Sequence, residues 1–199
     1  MKKFLHVGCG SQNKSVLKGF NSIDWEEIRF DIDLKVNPDI VGTITDMSLV
    51  KTSSIDAIFS SHNIEHIYAH EVPIALFEFK RVLKNDGFVV MTCPDLQSVC
   101  EAVAKDQLLE PVYLTKVGEP ITPLDILYGH RGHIANGNEY MSHKCGFTYS
   151  ALAGVFYQVD FKSVYGGPRA APYFDLWLIA CKQEKTDEEL KYLGQLFLA

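Results

Sequence analysis

The chain has 199 residues and no apolar run near the roughly 18–20 residues that cross a bilayer, so no membrane partner is expected. It also lacks clustered basic residues. Lys and Arg number 19 against 25 Asp and Glu, a net charge of -6. A phosphate backbone is gripped by grouped cations, so no nucleic-acid partner is expected either. Cysteine is sparse and unpatterned: Cys9, Cys93, Cys100, Cys145 and Cys181 are odd in number and never form CxxC. That spacing excludes a disulfide framework and points to reduced thiols in the cytoplasm. The apolar run after Lys2-Lys3 is broken by His6 and is too short for a signal core of about 7–15 residues. Internal repeats and low-complexity tracts are absent.

What is present is a single-domain composition. Apolar residues make up 47% of the chain, enough for one well-buried core over residues 1–199. The N-terminal stretch Phe4-Leu5-His6-Val7-Gly8-Cys9-Gly10-Ser11 reads as a buried strand, a tight turn and a helix entry over Lys14 to Asn21. Glycine in such a turn lets the backbone approach a ligand, because no Cβ intervenes.

Regular patterns follow. Glu27 to Asp33 reads as a second strand, Ile40-Val41-Gly42 as a short third and Ser54 to Ser61 as a fourth. Val72, Ala75, Leu76, Phe79, Val82 and Leu83 repeat at helical spacing, which predicts a helix over Glu71 to Lys84. After the turn Asn85-Asp86-Gly87, Phe88 to Thr92 is a strongly β-forming strand, and Asp95 caps a helix carrying Leu96, Val99 and Val103. Strands alternating with helices indicate a doubly wound, mostly parallel sheet. Ligands bind such sheets at the carboxyl ends of the strands, where Gly8, Asp31, Asp46, Ser61 and Cys93-Pro94-Asp95 all fall. Asp31 stands 21 residues beyond Gly10, the separation at which a carboxylate meets ribose hydroxyls in nucleotide-type sites.

From Glu110 to Gly146 the texture changes to prolines, five glycines and three histidines, the mark of a lid or binding segment. Regular structure resumes with Thr148 capping a helix. Two strands, Phe161 to Tyr165 and Asp175 to Cys181, follow, with Gly166-Gly167-Pro168 as their connection. A capping box, Thr186 to Glu189, opens a terminal helix with Leu190, Leu193 and Phe197 on one face. That face could pack on the sheet or on a second copy in a homodimer.

The blocks VGCG, FDID, ITD and SSIDAIFSSHNIEHI…FEFKRVLKNDGFVVMTCPD together resemble the class I S-adenosylmethionine-dependent methyltransferases, in particular their small-molecule group. The resemblance is specific over residues 4 to about 105 and looser over 128 to 182. It implies a Rossmann-like sheet of seven strands, with an antiparallel strand near the C-terminus, and S-adenosylmethionine as cofactor. Carried over by position, Gly8, Cys9 and Gly10 would face the methionine part and Asp31 the ribose. Asp46 would meet the adenine amino group, Ile32 and Met47 would pack on the ring, and His62 would line the methyl side. Two positions depart from the family: His6 stands where an acidic residue is usual, and Gln12 where a third glycine often stands. The resemblance also implies that the 110–146 segment, or a partner subunit, covers the site.

Other chemistries fit less well. A nicotinamide dehydrogenase would want Gly-x-Gly-x-x-Gly, but Asn13 holds the sixth position from Gly8. Nucleic-acid amino methyltransferases carry Asn/Asp-Pro-Pro-aromatic after the fourth strand, where this chain has Ser60-Ser61-His62-Asn63. His62-Asn63-Ile64-Glu65-His66 spells an inverted zinc-protease motif, but no helix pattern begins before Val72, and no metal is expected. Cys93 has no histidine beside it in sequence and reads as a buried thiol. Among the late histidines, His143 and His130 are the candidates to take a proton from a small-molecule acceptor as the methyl group moves. The expected activity is methyl transfer to oxygen, nitrogen or carbon of a small molecule. The alternative is a non-catalytic cofactor-binding or scaffold protein on the same fold.

Overall fold

The computed structural model describes residues 1–115, 118–169 and 172–198. Strands β1 (Lys2–Val7), β2 (Trp25–Asp31), β3 (Ile40–Val41), β4 (Ile55–Ser61) and β5 (Leu83–Pro94) lie in the first half. Helix α1 (Val72–Val82) precedes β5 and α2 (Leu96–Ala104) follows it. The 110–146 segment holds a small hairpin, β6 (Tyr113–Leu114) and β7 (Pro120–Ile121), then the short helices α3 (Pro123–Tyr128) and α4 (Arg131–Ala135). Helix α5 (Tyr149–Gln158), strands β8 (Ser163–Pro168) and β9 (Asp175–Cys181), and helix α6 (Asp187–Phe197) complete the chain.

Seven strands form one sheet in the order β3-β2-β1-β4-β5-β9-β8. The β1–β5 pairings are parallel, while β9 runs antiparallel between β5 and β8. This is the expected architecture. The order reverses between β1 and β4, so the loops after those strands diverge and open a crevice at their carboxyl ends.

Both faces of the sheet are covered. One carries α1 and α5, whose Leu76, Phe79, Leu152 and Phe156 pack on Leu5, Ile58 and Val89. The other is closed by the chain from Leu17 to Trp25 and by α6, with Phe4, Phe20, Phe88 and Phe197 in contact. The apolar face of the terminal helix therefore packs on its own sheet. A third, small cluster of Val99, Ile121 and Ile126 lies under the 110–146 segment.

Three local expectations are corrected. The helix expected over Lys14 to Asn21 is one 3-10 turn, Lys14–Val16. Leu17 and Phe20 are drawn into the core, the Lys14 Nζ donates to the Trp25 carbonyl, and Gly19 takes φ +80°, which no helix continues. The turn Asn85-Asp86-Gly87 is an outward loop within β5: Ile55 pairs with Leu83 and Ala57 with Phe88. Finally, Gly166-Gly167-Pro168 belongs to β8 rather than to the connection. At Gly166 φ is +146°, and a Cβ would meet the Trp177 carbonyl oxygen at 2.1 Å, so only glycine lets the strand pair there.

Candidate functional site

Strand β1 ends in the glycine turn. Gly8 takes φ +63° and Gly10 φ +51°, a region that side chains with a Cβ avoid. A Cβ on Gly8 would sit 2.8 Å from Cγ of Asn63, so the turn and the loop after β4 touch without a side chain between them. Across the crevice, Asp31 Oδ2 accepts the Gly10 N–H at 2.8 Å and Oδ1 accepts the Asp33 N–H at 2.9 Å. Each carboxylate oxygen keeps a second acceptor site. Arg29 braces the turn from below: its guanidinium donates to the carbonyls of Gly10, Val36 and Asn37.

These elements enclose a cavity of about 400 Å³ at the carboxyl ends of the strands. Gly8, Gly10, Asp31, Ile32 and His62 line it, together with Thr43, Thr45, Asn63, His66, Tyr140 and Lys144. The Asn63 Nδ2 is buried and has no hydrogen-bond partner among the described residues. A cradle of positive-φ glycines beside an orphaned amide donor, with a carboxylate opposite, fits an amino-acid-bearing nucleoside.

The structure does not bring every expected residue there. The Cys9 side chain is buried beneath the turn, and its thiol is pushed up to about 11, chiefly by that burial. Met47 is fully buried in the core. Its N–H is taken by Glu78 Oε2 at 2.8 Å and its carbonyl by Arg81 Nη2 at 2.7 Å. Asp46 faces outward onto a separate groove over α1, beside Phe77 and Arg81. Thr43 and Thr45 take the places on the cavity wall. His130 caps α4, accepting the His133 N–H at its Nδ1, with Nε2 3.5 Å from Glu119. His6 is buried away from the cavity, its Nδ1 2.7 Å from Glu27 Oε1.

His62 is the first residue after β4 and holds φ +47°, strained for a histidine at a strand end. The chain then makes one 3-10 turn, Ile64–His66, so the His-x-x-Glu-His motif is not on an α-helix. His62 faces the cavity, with Nδ1 3.4 Å from Oε1 of the fully buried Glu65. Partial desolvation of the half-exposed ring works against its proton, but the Glu65 carboxylate outweighs it and raises the pKa.

His143 lies on the far side of Glu65 and lines a second, smaller cavity of about 180 Å³, with Tyr128, Leu96 and Cys145. Lys144 lines both cavities, and its ammonium lies 5.0 Å from the centre of the Tyr68 ring on the rim. Burial lowers the His143 pKa below its ordinary value, so the ring is neutral near pH 7. Its Nδ1 is 2.7 Å from the Ile126 carbonyl, to which the neutral ring donates, leaving Nε2 with a free lone pair. Cys93 is fully buried and its thiol is pushed well up by that burial, so it does not act as a nucleophile.

Sheet order, inserted antiparallel strand and glycine-turn cavity together define the class I methyltransferase architecture. Residues 5–91, a little under half of the chain, match the family model described as a methyltransferase domain. The likeness to class I S-adenosylmethionine-dependent methyltransferases thus holds in sequence over that segment and in fold.

Solved structures agree in fold. The citrinin polyketide synthase CMeT domain superposes with a TM-score of 0.56 at 12% identity, over 92% of this chain and 47% of its own. This chain thus spans about half the length of that neighbour. A Thermotoga maritima S-adenosylmethionine-dependent methyltransferase, described as a possible histamine N-methyltransferase, gives 0.58 at 13% identity, over 92% and 83%. The Burkholderia thailandensis 1,6-didemethyltoxoflavin-N1-methyltransferase, solved with its substrate and S-adenosylhomocysteine, gives 0.54 at 12%, over 92% and 71%. No curated protein matches the chain in sequence. No helix among the described residues is long and apolar enough to cross a membrane.

Proposed function

We propose that this chain binds S-adenosylmethionine in the 400 Å³ cavity and transfers its methyl group to a small-molecule acceptor held under the 110–146 segment. One observation carries the reading: the Asp31 carboxylate and the Gly8–Gly10 turn, far apart in sequence, meet at one rim through a 2.8 Å hydrogen bond. Asp31 holds the ribose hydroxyls on its remaining acceptor sites. Ile32, Thr43 and Thr45 flank the ring. The glycine turn and the Asn63 amide hold the amino-acid end. When bound, the cofactor supplies an electrophilic methyl on a sulfonium.

The chain's own contribution is mainly to hold the acceptor in line with that methyl. The smaller cavity beside Tyr128 and His143 suits a small acceptor group, and weighs against a purely non-catalytic scaffold. The acceptor's reacting group would sit at the wall between the two cavities, beside His66 and His143.

The test is calorimetric titration of the full chain with S-adenosylhomocysteine and S-adenosylmethionine. One saturable site shared by both is expected. Absence of heat with both, confirmed by no thermal shift, overturns the reading.

A further inference from the structure

Glu65 is fully buried, and neither of its carboxylate oxygens has a hydrogen-bond partner among the described residues. A desolvated carboxylate with no donor is costly to keep in a core unless a charge compensates it. The His62 imidazole, 3.4 Å from Oε1, is a partial charge partner when protonated, but no hydrogen bond satisfies either oxygen. One Glu65 oxygen and one ring nitrogen each from His66 and His143 lie within 4.8 Å of one another. We propose that these three residues form a binding site for a divalent transition-metal ion of the zinc class, on the wall between the two cavities.

The ring orientations support this. His66 Nδ1 is 3.1 Å from the Ser142 carbonyl and His143 Nδ1 is 2.7 Å from the Ile126 carbonyl. Both carbonyls fix the Nδ1–H tautomer and leave Nε2 as a ligand lone pair, the usual arrangement of metal-binding histidines. Two imidazoles and a carboxylate are a borderline-soft donor set with positions left for a further ligand. The backbone frame is rigid. Lys144 N donates to the Glu65 carbonyl at 2.8 Å, and His143 N to the Tyr128 carbonyl at 3.2 Å. Three atoms no more than 4.8 Å apart all lie within about 2.8 Å of some common point, so closure to about 2.0–2.2 Å takes small side-chain rotations. His66 faces the large cavity and His143 the small one, which puts the ion's remaining positions where an acceptor hydroxyl or carboxylate would sit. In the sequence the His-x-x-Glu-His motif holds Glu65 and His66 but has no helix pattern to carry it, and His143 stands far from it. Glu119, His130 and His133 also cluster, but Glu119 is largely exposed and His130 Nδ1 already serves the α4 cap, so that group is the control.

The experiment is titration of the chelator-stripped full chain with Co²⁺, followed by visible absorption and by Zn²⁺ displacement. One equivalent should develop ligand-field bands that Zn²⁺ removes. Glu65→Gln and His143→Gln, each checked for folding by circular dichroism, should weaken binding at least about a hundredfold. His133→Gln should bind as the parent does. If Glu65→Gln fails to fold, His66→Gln replaces it. Absence of bands in the folded parent overturns the site, as does loss of binding in His133→Gln but not in His143→Gln. The site does not rest on the cofactor reading: a chain that binds S-adenosylhomocysteine but no Co²⁺ refutes the metal alone, and the converse refutes the cofactor alone.

Discussion

Asp31 does two things at once. It ties the glycine turn to β2 through the Gly10 N–H, and it offers its remaining lone pairs to the crevice. Asp31→Ala should weaken S-adenosylhomocysteine binding by about 1.5–3 kcal/mol, because a charged acceptor is lost. In affinity that is roughly ten- to 150-fold, read by calorimetry. Gly8→Ala should cost binding and fold together, because it forces a Cβ into a positive φ and against Asn63 at 2.8 Å. A loss of about 1–3 kcal/mol in denaturant melts is expected, with weaker cofactor binding in the folded fraction. His6 gives a pH signature. Burial lowers its pKa below 6.5, although Glu27 and Asp31 pull the other way. The unfolded chain therefore takes up this proton first. The stability it contributes is complete above about pH 6.5 and is lost as pH falls through the folded value. His6→Gln should flatten the fall of Tm between about pH 6.5 and 5, measured by scanning calorimetry.

At the scale of elements, α6 is held at both ends. Thr186 and Glu189 form a capping box, and Phe197 packs between Phe20, Trp25 and Phe88. Phe197→Ala should destabilise by about 3–5 kcal/mol in urea melts. The helix lies on the sheet face away from the cavity, so cofactor affinity in the folded protein should be unchanged. The loop after β3 is pinned instead by α1. Glu78 and Arg81 pair with each other, and between them hold the Met47 N–H and the carbonyls of Met47 and Val50. That clamp turns Met47 inward and Asp46 outward.

For the whole molecule, cofactor and fold are linked. If the cavity binds as proposed, ligand at a hundred times its Kd adds about 2.7 kcal/mol to stability. For a chain of this size that raises Tm by roughly 5–11 °C. The rise should be much smaller in Asp31→Ala, which separates specific binding from general solute effects. The two cavities meet at Lys144, beside the Tyr68 rim, so the walls of the larger one come from both halves of the chain.

Local chemistry sufficed for much of this. Apolar periodicity placed α1, α5 and α6, the β-forming runs placed the strands, and the Gly8–Gly10 turn with a carboxylate 21 residues on marked the rim. Those features depend on near neighbours, and a sequence carries near neighbours openly. What lay hidden depends on distant ones. Arg29 under the turn, Asn63 against Gly8, and Asp46 facing away from the crevice follow from how loops from different strands stack. The helix foreseen at Lys14 gives way because Leu17 and Phe20 gain more by entering the core than by completing a turn. Glu65, His66 and His143 lie 77 and 78 residues apart across the last two gaps, counting back from 143, and no pattern joins them. Only the backbone bonds between the Glu65 loop and residues 144–145 bring a buried carboxylate to two oriented imidazoles.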